Sequence, residues 1–380
     1  MSGILILTPF YPPNVGGVET HLQDLTDYLE KDGRFNVYIL TYQPITTCVK
    51  GECFKRYGNI HIRRISWIGF NLFHKLEPCP VLEFLYITPW LFINALFFLL
   101  KYREKISVIH AQGFNCAFIG RILAAIFRKR LVVSIHAIYN LNPGSLFTKL
   151  VKWSLKKSER ILTLSEASKS ELVNIGLSVS CVSVYTYWID QNIFSPSSRQ
   201  EARQTLGWPD KFTVLFVGRF IEKKGMDILC DLARDIKEDI LFAFIGDGPL
   251  ADELKHLSGK FSNIRYVGKV DNKDLPLYYN SADILCVPSK YEEGFGRVII
   301  EALSCGVPVV ASRSGGIPEA VNESVGVLVE PSVEEFKKAI LELFHNRERL
   351  NTLRENCRDY ALKKFGLSNA QMIVDSYSLY

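Results

Sequence analysis

Two carboxylates stand eight positions apart in the segment KYEEGFGRVIIEALSCGVPVVAS at 290–312: Glu293 just before a glycine turn, and Glu301 one turn into the apolar run that follows. A loop that opens a helix presents unpaired backbone N–H groups at a positive helix end, and glycines let a phosphate come close to them. A carboxylate beside a bound phosphate is repelled unless it has hydroxyls or cations to hold. The pair therefore fits a ligand with phosphate in its middle and hydroxyls at both ends. A sugar on one flank and a ribose on the other describes a nucleotide sugar.

Cations for a diphosphate lie in VGRFIEKKG at 217–225, where Arg219 and Lys224 share one loop. Each charge-assisted hydrogen bond they make is worth about 1.5–3 kcal/mol, more in a dry site. The sequence offers no D-x-D pair to hold a divalent ion against phosphates. The expectation is a site without metal, in which protein cations neutralise the leaving group. Other readings of the acid pair are a surface ion pair or the two acids of a glycosidase, which a retaining enzyme holds about 5–5.5 Å apart. One acid in the loop and one down the helix fits gripping a ligand at two ends better.

The elements that must position these groups are legible as an alternation. Short apolar runs at 4–10, 36–42, 107–113, 131–137 and 160–166 alternate with helix-period segments such as VETHLQDLTDYLEKDG at 18–33. The pattern restarts with runs at 212–220, 240–249, 263–270, 283–289 and 307–312. This is the signature of parallel sheets covered by helices on both faces, an α/β class. The polar, Pro- and Ser-bearing stretch YWIDQNIFSPSSRQ at 187–200 separates the two series. The expected organisation is residues 1–190 as one domain and 191–361 as a second, with a helix at about 362–380 packing back on the first. In such doubly wound sheets ligands lie beyond the carboxyl ends of the strands, where the acids and cations fall.

A chain of 380 residues is too long for one ordinary core. With 48% hydrophobic and 22% charged residues it reads as globular throughout. Its 45 basic and 40 acidic residues give a net charge of +5, too even a mixture for a dedicated nucleic-acid binder. Nine scattered cysteines without a CxxC pair read as buried thiols in a reducing cytoplasm. The start MSGILILTPFYPP has no basic n-region and reads as a first buried strand, not a signal peptide. One segment departs from the pattern. FLYITPWLFINALFFLL at 84–100 has no charge and is followed by Lys101, Arg103 and Lys105. It reads as a buried or half-exposed helix of the first domain, or as a surface-lying membrane contact with Trp90 and Phe97 at the interface. A bilayer span is the remaining reading, disfavoured by Pro89, Asn94 and the strand-and-helix alternation that resumes directly after it.

Taken in order, PPNVGGVETHLQDLTDYLE, VIHAQG, SIHA, TLSEASKSEL, VGRFIEKKGMDIL, IGDGPL, VGKV, LYYNSADILCVPS, EEGFGRVIIEALSCGVPVVAS and GGIPE run through nearly the whole chain. In this order and spacing they resemble the retaining glycosyltransferases of family four, whose E-x7-E signature Glu293 and Glu301 would form. The resemblance implies the GT-B fold, two facing Rossmann-like domains with an interdomain cleft, the first binding acceptor and the second the donor. It implies that Glu293 binds hydroxyls of the transferred sugar and Glu301 the ribose. Backbone around Gly294, Phe295, Gly296, Arg297 and Val298 would meet the distal phosphate and sugar, and Arg219 and Lys224 the diphosphate. Gly16 and Gly17 would let a loop close over phosphates or acceptor, His136 would sit near the anomeric centre, and the nucleobase would lie by Gly268. One departure is TYWID at 186–190, where relatives carry smaller polar residues; Tyr187 and Trp188 make a transferred donor or acceptor preference less secure.

The expected activity is transfer of a hexose from a UDP- or GDP-sugar to an acceptor hydroxyl on a sugar or lipid-linked acceptor. The configuration would be kept, with no cofactor, no metal and no nucleic acid. The site would be cytoplasmic, extending to the inner face of a membrane if 84–105 touches one. The rivals are a nucleotide-sugar 2-epimerase of similar fold, a phosphorylase, for which no pyridoxal-phosphate lysine site is apparent, and a non-catalytic nucleotide-sugar sensor, which would not need both phosphate cations.

Overall fold

The structure is a computed structural model and describes every residue except 1, 15, 46–48, 70–71, 77–78 and 379–380. It divides into two units: Met1–Thr186 with Ser368–Tyr380, and Tyr187–Leu367. The break falls a few residues before 190. The long helix Arg347–Lys364 stays whole in the second unit, because Leu350, Leu353, Cys357 and Ala361 are buried along it. The chain leaves that unit only at the bend after it.

The first unit holds an eight-stranded sheet built from β1 (Ser2–Leu7), β2 (Phe35–Tyr42), β3 (Phe54–Tyr57), β4 (Ile60–Ile65), β5 (Ile106–Gln112), β6 (Arg130–Ile135), β7 (Arg160–Thr163) and β8 (Val182–Val184). Its order is β3-β4-β2-β1-β5-β6-β7-β8, parallel apart from the antiparallel β3–β4 pair. The continuous apolar runs explain the parallel part: Ile4 to Leu7 in β1 and Val132 and Val133 in β6 are almost wholly buried, as strands covered on both faces must be. The β3–β4 hairpin lay outside the expected strands because Lys55, Arg56, Arg63 and Arg64 interrupt its apolar pattern. Lys55 and Arg56 suit an edge, where β3 is mostly exposed, while Arg64 on β4 is buried and donates to the Glu52 and Pro12 carbonyls at 2.9 and 2.7 Å.

The second unit holds β9 (Phe212–Val217), β10 (Ile240–Ile245), β11 (Ile264–Gly268), β12 (Ile284–Val287), β13 (Val309–Ser312) and β14 (Gly326–Val329). Their order is β11-β10-β9-β12-β13-β14, all parallel. The chain runs outward from β9 through β10 to β11, then returns to lay β12 against the other side of β9. A doubly wound sheet opens a ligand crevice at such a reversal, at the carboxyl ends of the two strands.

The apolar segment forms the helix Pro80–Tyr102 of the first unit. Ile87, Leu91, Ala95, Phe98 and Leu99 bury one side of it in the core. The opposite side faces outward. The cysteine expectation needs correction: Cys116, Cys230, Cys286, Cys305 and Cys357 are buried, but Cys53 and Cys79 are exposed and Cys181 is half-exposed. The first two stand in polar loops, where no apolar run carries them inward. Cys48 lies outside the described residues.

Candidate active site

Three loops of the second unit meet at the reversal point. The loop after β9 ends at Gly225, whose φ of +69° is left-handed. A Cβ there would collide with the Pro288 carbonyl, so only glycine lets the β9 and β12 loops touch. The Lys290 amide donates to the Lys223 carbonyl at 2.8 Å, and the Lys290 ammonium pairs with Asp227. The loop after β13 closes the third side. Gly315, at φ +56°, lies flat on the backbone of Glu293, and the Gly316 amide donates to the Glu293 carbonyl at 2.7 Å.

This packing fixes Glu293, which is buried. Its Oε1 accepts from Lys224 Nζ at 2.7 Å and from the Ser289 hydroxyl. The Lys224 ammonium also lies 5.2 Å from the centre of the Tyr291 ring. Burial alone would lower the lysine pKa, but Glu293 and Tyr291 outweigh it and hold the ammonium above its ordinary range. Lys224 is therefore charged at any physiological pH. Arg219 stands half-buried earlier in the same loop.

Burial alternates along the turn: Glu293, Phe295 and Arg297 are buried, while Gly294, Gly296 and Val298 are half-exposed. Phe295 anchors the turn edge-on against Phe365, ring centres 5.8 Å apart. The helix Arg297–Ser304 opens on Gly296 at φ +82° with no side-chain cap, so its first amides have no intrahelical partner. Glu301 is buried one turn in. Its Oε1 accepts from Arg297 Nε at 3.0 Å and its Oε2 from the Tyr279 hydroxyl at 2.8 Å. Burial raises the Glu301 pKa, while Arg297 and Tyr279 oppose the rise. Each acid thus carries its own counter-ion. Glu293 Oε1 already takes two donors, which leaves Oε2 for a ligand hydroxyl. Each Glu301 oxygen, holding one donor, keeps a second lone pair.

The sequence reading missed Ser289 and Tyr279, and the Arg219 loop needs a support of its own. The GDGPL segment supplies that support: Gly218 N donates to Ile245 O at 3.0 Å and Phe220 N to Asp247 O at 2.9 Å. A Cβ on Gly248 would approach the Phe220 carbonyl to 2.6 Å. Gly268 ends β11 at φ +88°, at the same carboxyl edge but two strands from β9. Tyr187 and Trp188 are buried at the start of this unit.

The remaining expected residues belong to the first unit. Gly16 and Gly17 open the helix Gly17–Asp32 after β1, where a Cβ on Gly16 would strike the Glu19 carboxylate. His136 follows β6 and is half-buried. Its Nε2 donates to Gln112 Oε1 at 2.8 Å, and Gln112 Nε2 donates to His110 Nε2 at 3.1 Å. His110 Nδ1 then carries the hydrogen and donates to the Tyr377 hydroxyl at 2.7 Å. Burial pushes His136 down to about 4. Burial, with His136 beside it, pushes His110 down to about 3. Both imidazoles are neutral at pH 7, so His136 offers hydrogen bonding and no cationic charge.

The profile of glycosyltransferase family 4 matches residues 15–190, and that of glycosyl transferases group 1 matches residues 198–363. With two doubly wound units and the two acids at a reversal point, the chain belongs to the group 1 glycosyltransferases of family-four type and has the GT-B fold. It is similar to an uncharacterized protein of the cps region of Klebsiella pneumoniae, 30% identical over 73% of this chain and 79% of that one. It is 28% identical to one of the subunits of the human phosphatidylinositol N-acetylglucosaminyltransferase, over 90% of this chain and 69% of the relative. Among solved structures, Anabaena HepE in complex with UDP-glucose superposes with a TM-score of 0.79 over all of both chains, at 21% identity.

Proposed function

We propose that this glycosyltransferase transfers a hexose from a UDP- or GDP-sugar to an acceptor hydroxyl with retention of configuration and without metal. The observation that carries the reading is the Lys224–Glu293 pair at the β9/β12 reversal, with the uncapped helix end beside it. A donor diphosphate takes Lys224 and Arg219 as its cations. The amides from Gly294 to Val298 hold the distal phosphate, Glu293 the sugar hydroxyls and Glu301 the ribose, with the base toward Gly268. As the glycosidic bond breaks, Lys224 and Arg219 stabilise charge growing on the departing diphosphate. A departing phosphate oxygen takes the proton of the acceptor hydroxyl, so no side chain serves as general base. His136, Gly16 and Gly17 serve the anomeric centre and the phosphate or acceptor side.

The HepE complex, and a relative named for transfer to phosphatidylinositol, favour a nucleotide-sugar donor and an acceptor that is lipid-linked, met at the inner membrane face through 84–105. A thermal-shift panel of UDP-, GDP- and ADP-sugars tests the donor, since a ligand at 100 times its Kd stabilises by about 2.7 kcal/mol. No shift with any of them removes the reading. Turnover in EDTA and the anomeric form of the product test the remaining two claims, and an epimerase would convert donor with no acceptor present.

A further inference from the structure

At the amino ends of β1, β2, β5 and β6 the first unit has a cleft of about 830 Å³. It lies at the opposite edge of the sheet from Gly16 and His136. Arg56, His61, Lys105, Arg128, Lys129 and Arg130 line it, with Glu104 as its one acid. Arg103 takes up Glu104 at 3.0 Å, and Arg130 is committed to Glu159. Lys129 donates to the Arg103 carbonyl at 2.7 Å. Arg56, Lys105 and Arg128 are exposed and have no carboxylate partner among the described residues. Burial and then these same neighbours, Arg56 and Lys105, depress the His61 pKa. The cleft is a basin of positive potential with room for a ligand.

A second groove shares Tyr38, Arg56, His61 and Lys105 with it and runs on to Phe98, Lys101 and Tyr102. It thus reaches the carboxyl end of the helix Pro80–Tyr102. The outward side of that helix carries Leu82, Leu85, Pro89, Ile93, Phe97 and Leu100, all exposed, with Leu85 at 58% and Phe97 at 64%. At about 100° per residue they fall within an arc of about 120°, so they form one apolar face along about 27 Å of the helix. A solvent-facing apolar stripe of this length marks a docking face. Its other side is packed into the core, so the helix lies along a surface and does not cross one. An apolar stripe that ends in a cationic cleft matches hydrocarbon beside anionic headgroups.

We propose that the cleft at Arg56, Lys105 and Arg128 binds the phosphate of an anionic lipid headgroup while the Leu82–Leu100 face rests among the acyl chains of the same leaflet. This rests on the membrane contact proposed above for 84–105 and adds to it a phosphate pocket remote from the donor site.

The test is flotation of the full chain with phosphatidylcholine vesicles, with and without phosphatidic acid, beside thermal shifts with inorganic pyrophosphate. The variants are the triple Arg56→Gln/Lys105→Gln/Arg128→Gln and the double Ile93→Ser/Phe97→Ser. Binding is expected only with phosphatidic acid. Each near-surface cation contributes about fivefold to partitioning, so the triple should lower it roughly 10²-fold. Equal flotation of the triple and the parent overturns the pocket; if the double alone then fails to float, the helix contact stands without it. A pyrophosphate shift lost in the triple, with no vesicle binding by the parent, makes the cleft a soluble-anion site and overturns the lipid source. Response to neither probe overturns both. The donor panel, run on the triple, reports separately on the donor site.

Discussion

Replacing Lys224 by alanine separates the two tasks that this lysine is assigned. Its ammonium stands 2.7 Å from Glu293, with side-chain exposures of 24% and 6%. Removing one partner of a fully buried pair costs about 3–5 kcal/mol because the other charge is orphaned. Lys224 keeps contact with solvent, which reduces the figure to roughly 2 kcal/mol. For a unit of this size that lowers its Tm by about 4–8 °C. Turnover should fall about 10²-fold or more, because the departing diphosphate loses a cation. The decisive variant is the double Lys224→Ala/Glu293→Gln. Neutralising the orphaned acid should restore much of the lost Tm while turnover stays low. The assay is product formation at saturating donor beside differential scanning calorimetry. A folded Lys224→Ala enzyme within twofold of parental turnover would refute the leaving-group role, and a double variant no more stable than the single would refute the orphaned-charge reasoning.

Tyr279→Phe removes one of the two hydrogen bonds to the buried Glu301 and should raise donor KM about tenfold with kcat little changed, measured by initial rates over a donor series; a pure kcat loss would exchange the roles given to the two acids. Gly315→Ala drives a methyl into the Glu293 backbone and should depress both turnover and Tm, whereas Gly207→Ala, also at positive φ but with open space around it, should show only a strain of about 1 kcal/mol in Tm. Stability should fall as pH falls from 6.5 toward 4. The folded chain keeps His136 and His110 neutral down to about 4 and about 3, while unfolded imidazoles take up protons near 6.5. Two histidines amount to roughly 4 kcal/mol at most by pH 5, offset in part by Glu301, whose raised pKa acts in the opposite sense. Urea midpoints that stay level between pH 7 and pH 5 would contradict this.

Lys224, Glu293 and Glu301 were legible in the sequence because each sits at a fixed offset from an apolar strand, and a doubly wound sheet turns such offsets into one locus. Ser289, Tyr279 and Gln112 were not. They are neutral, carry no spacing signal, and reach their partners through packing of segments 4, 22 and 24 positions apart in the chain. Much of the outward apolar face at 82–100 could be seen as the uncharged run 84–100. Which side of it faced the core depended on where β1, β2 and β5 stood, and no local pattern encodes that. The basic cleft was invisible for the same reason: Arg56 comes from the edge strand β3 and Lys105 and Arg128 from two separate turns, which only sheet order brings together.

The return of 368–377 to the first unit has a consequence for how the molecule is made. Tyr377 caps the His110 imidazole, its carbonyl accepts from Arg130, Gln371 meets Tyr28, and Asn369 accepts from the Thr186 amide. On a ribosome the 187–367 stretch emerges complete and can close by itself. The half translated earlier must wait, its histidine chain unsealed, until the segment after residue 367 has been synthesised. The part born first is finished last, and a nascent chain paused before residue 368 would hold one mature lobe and one still open to chaperones.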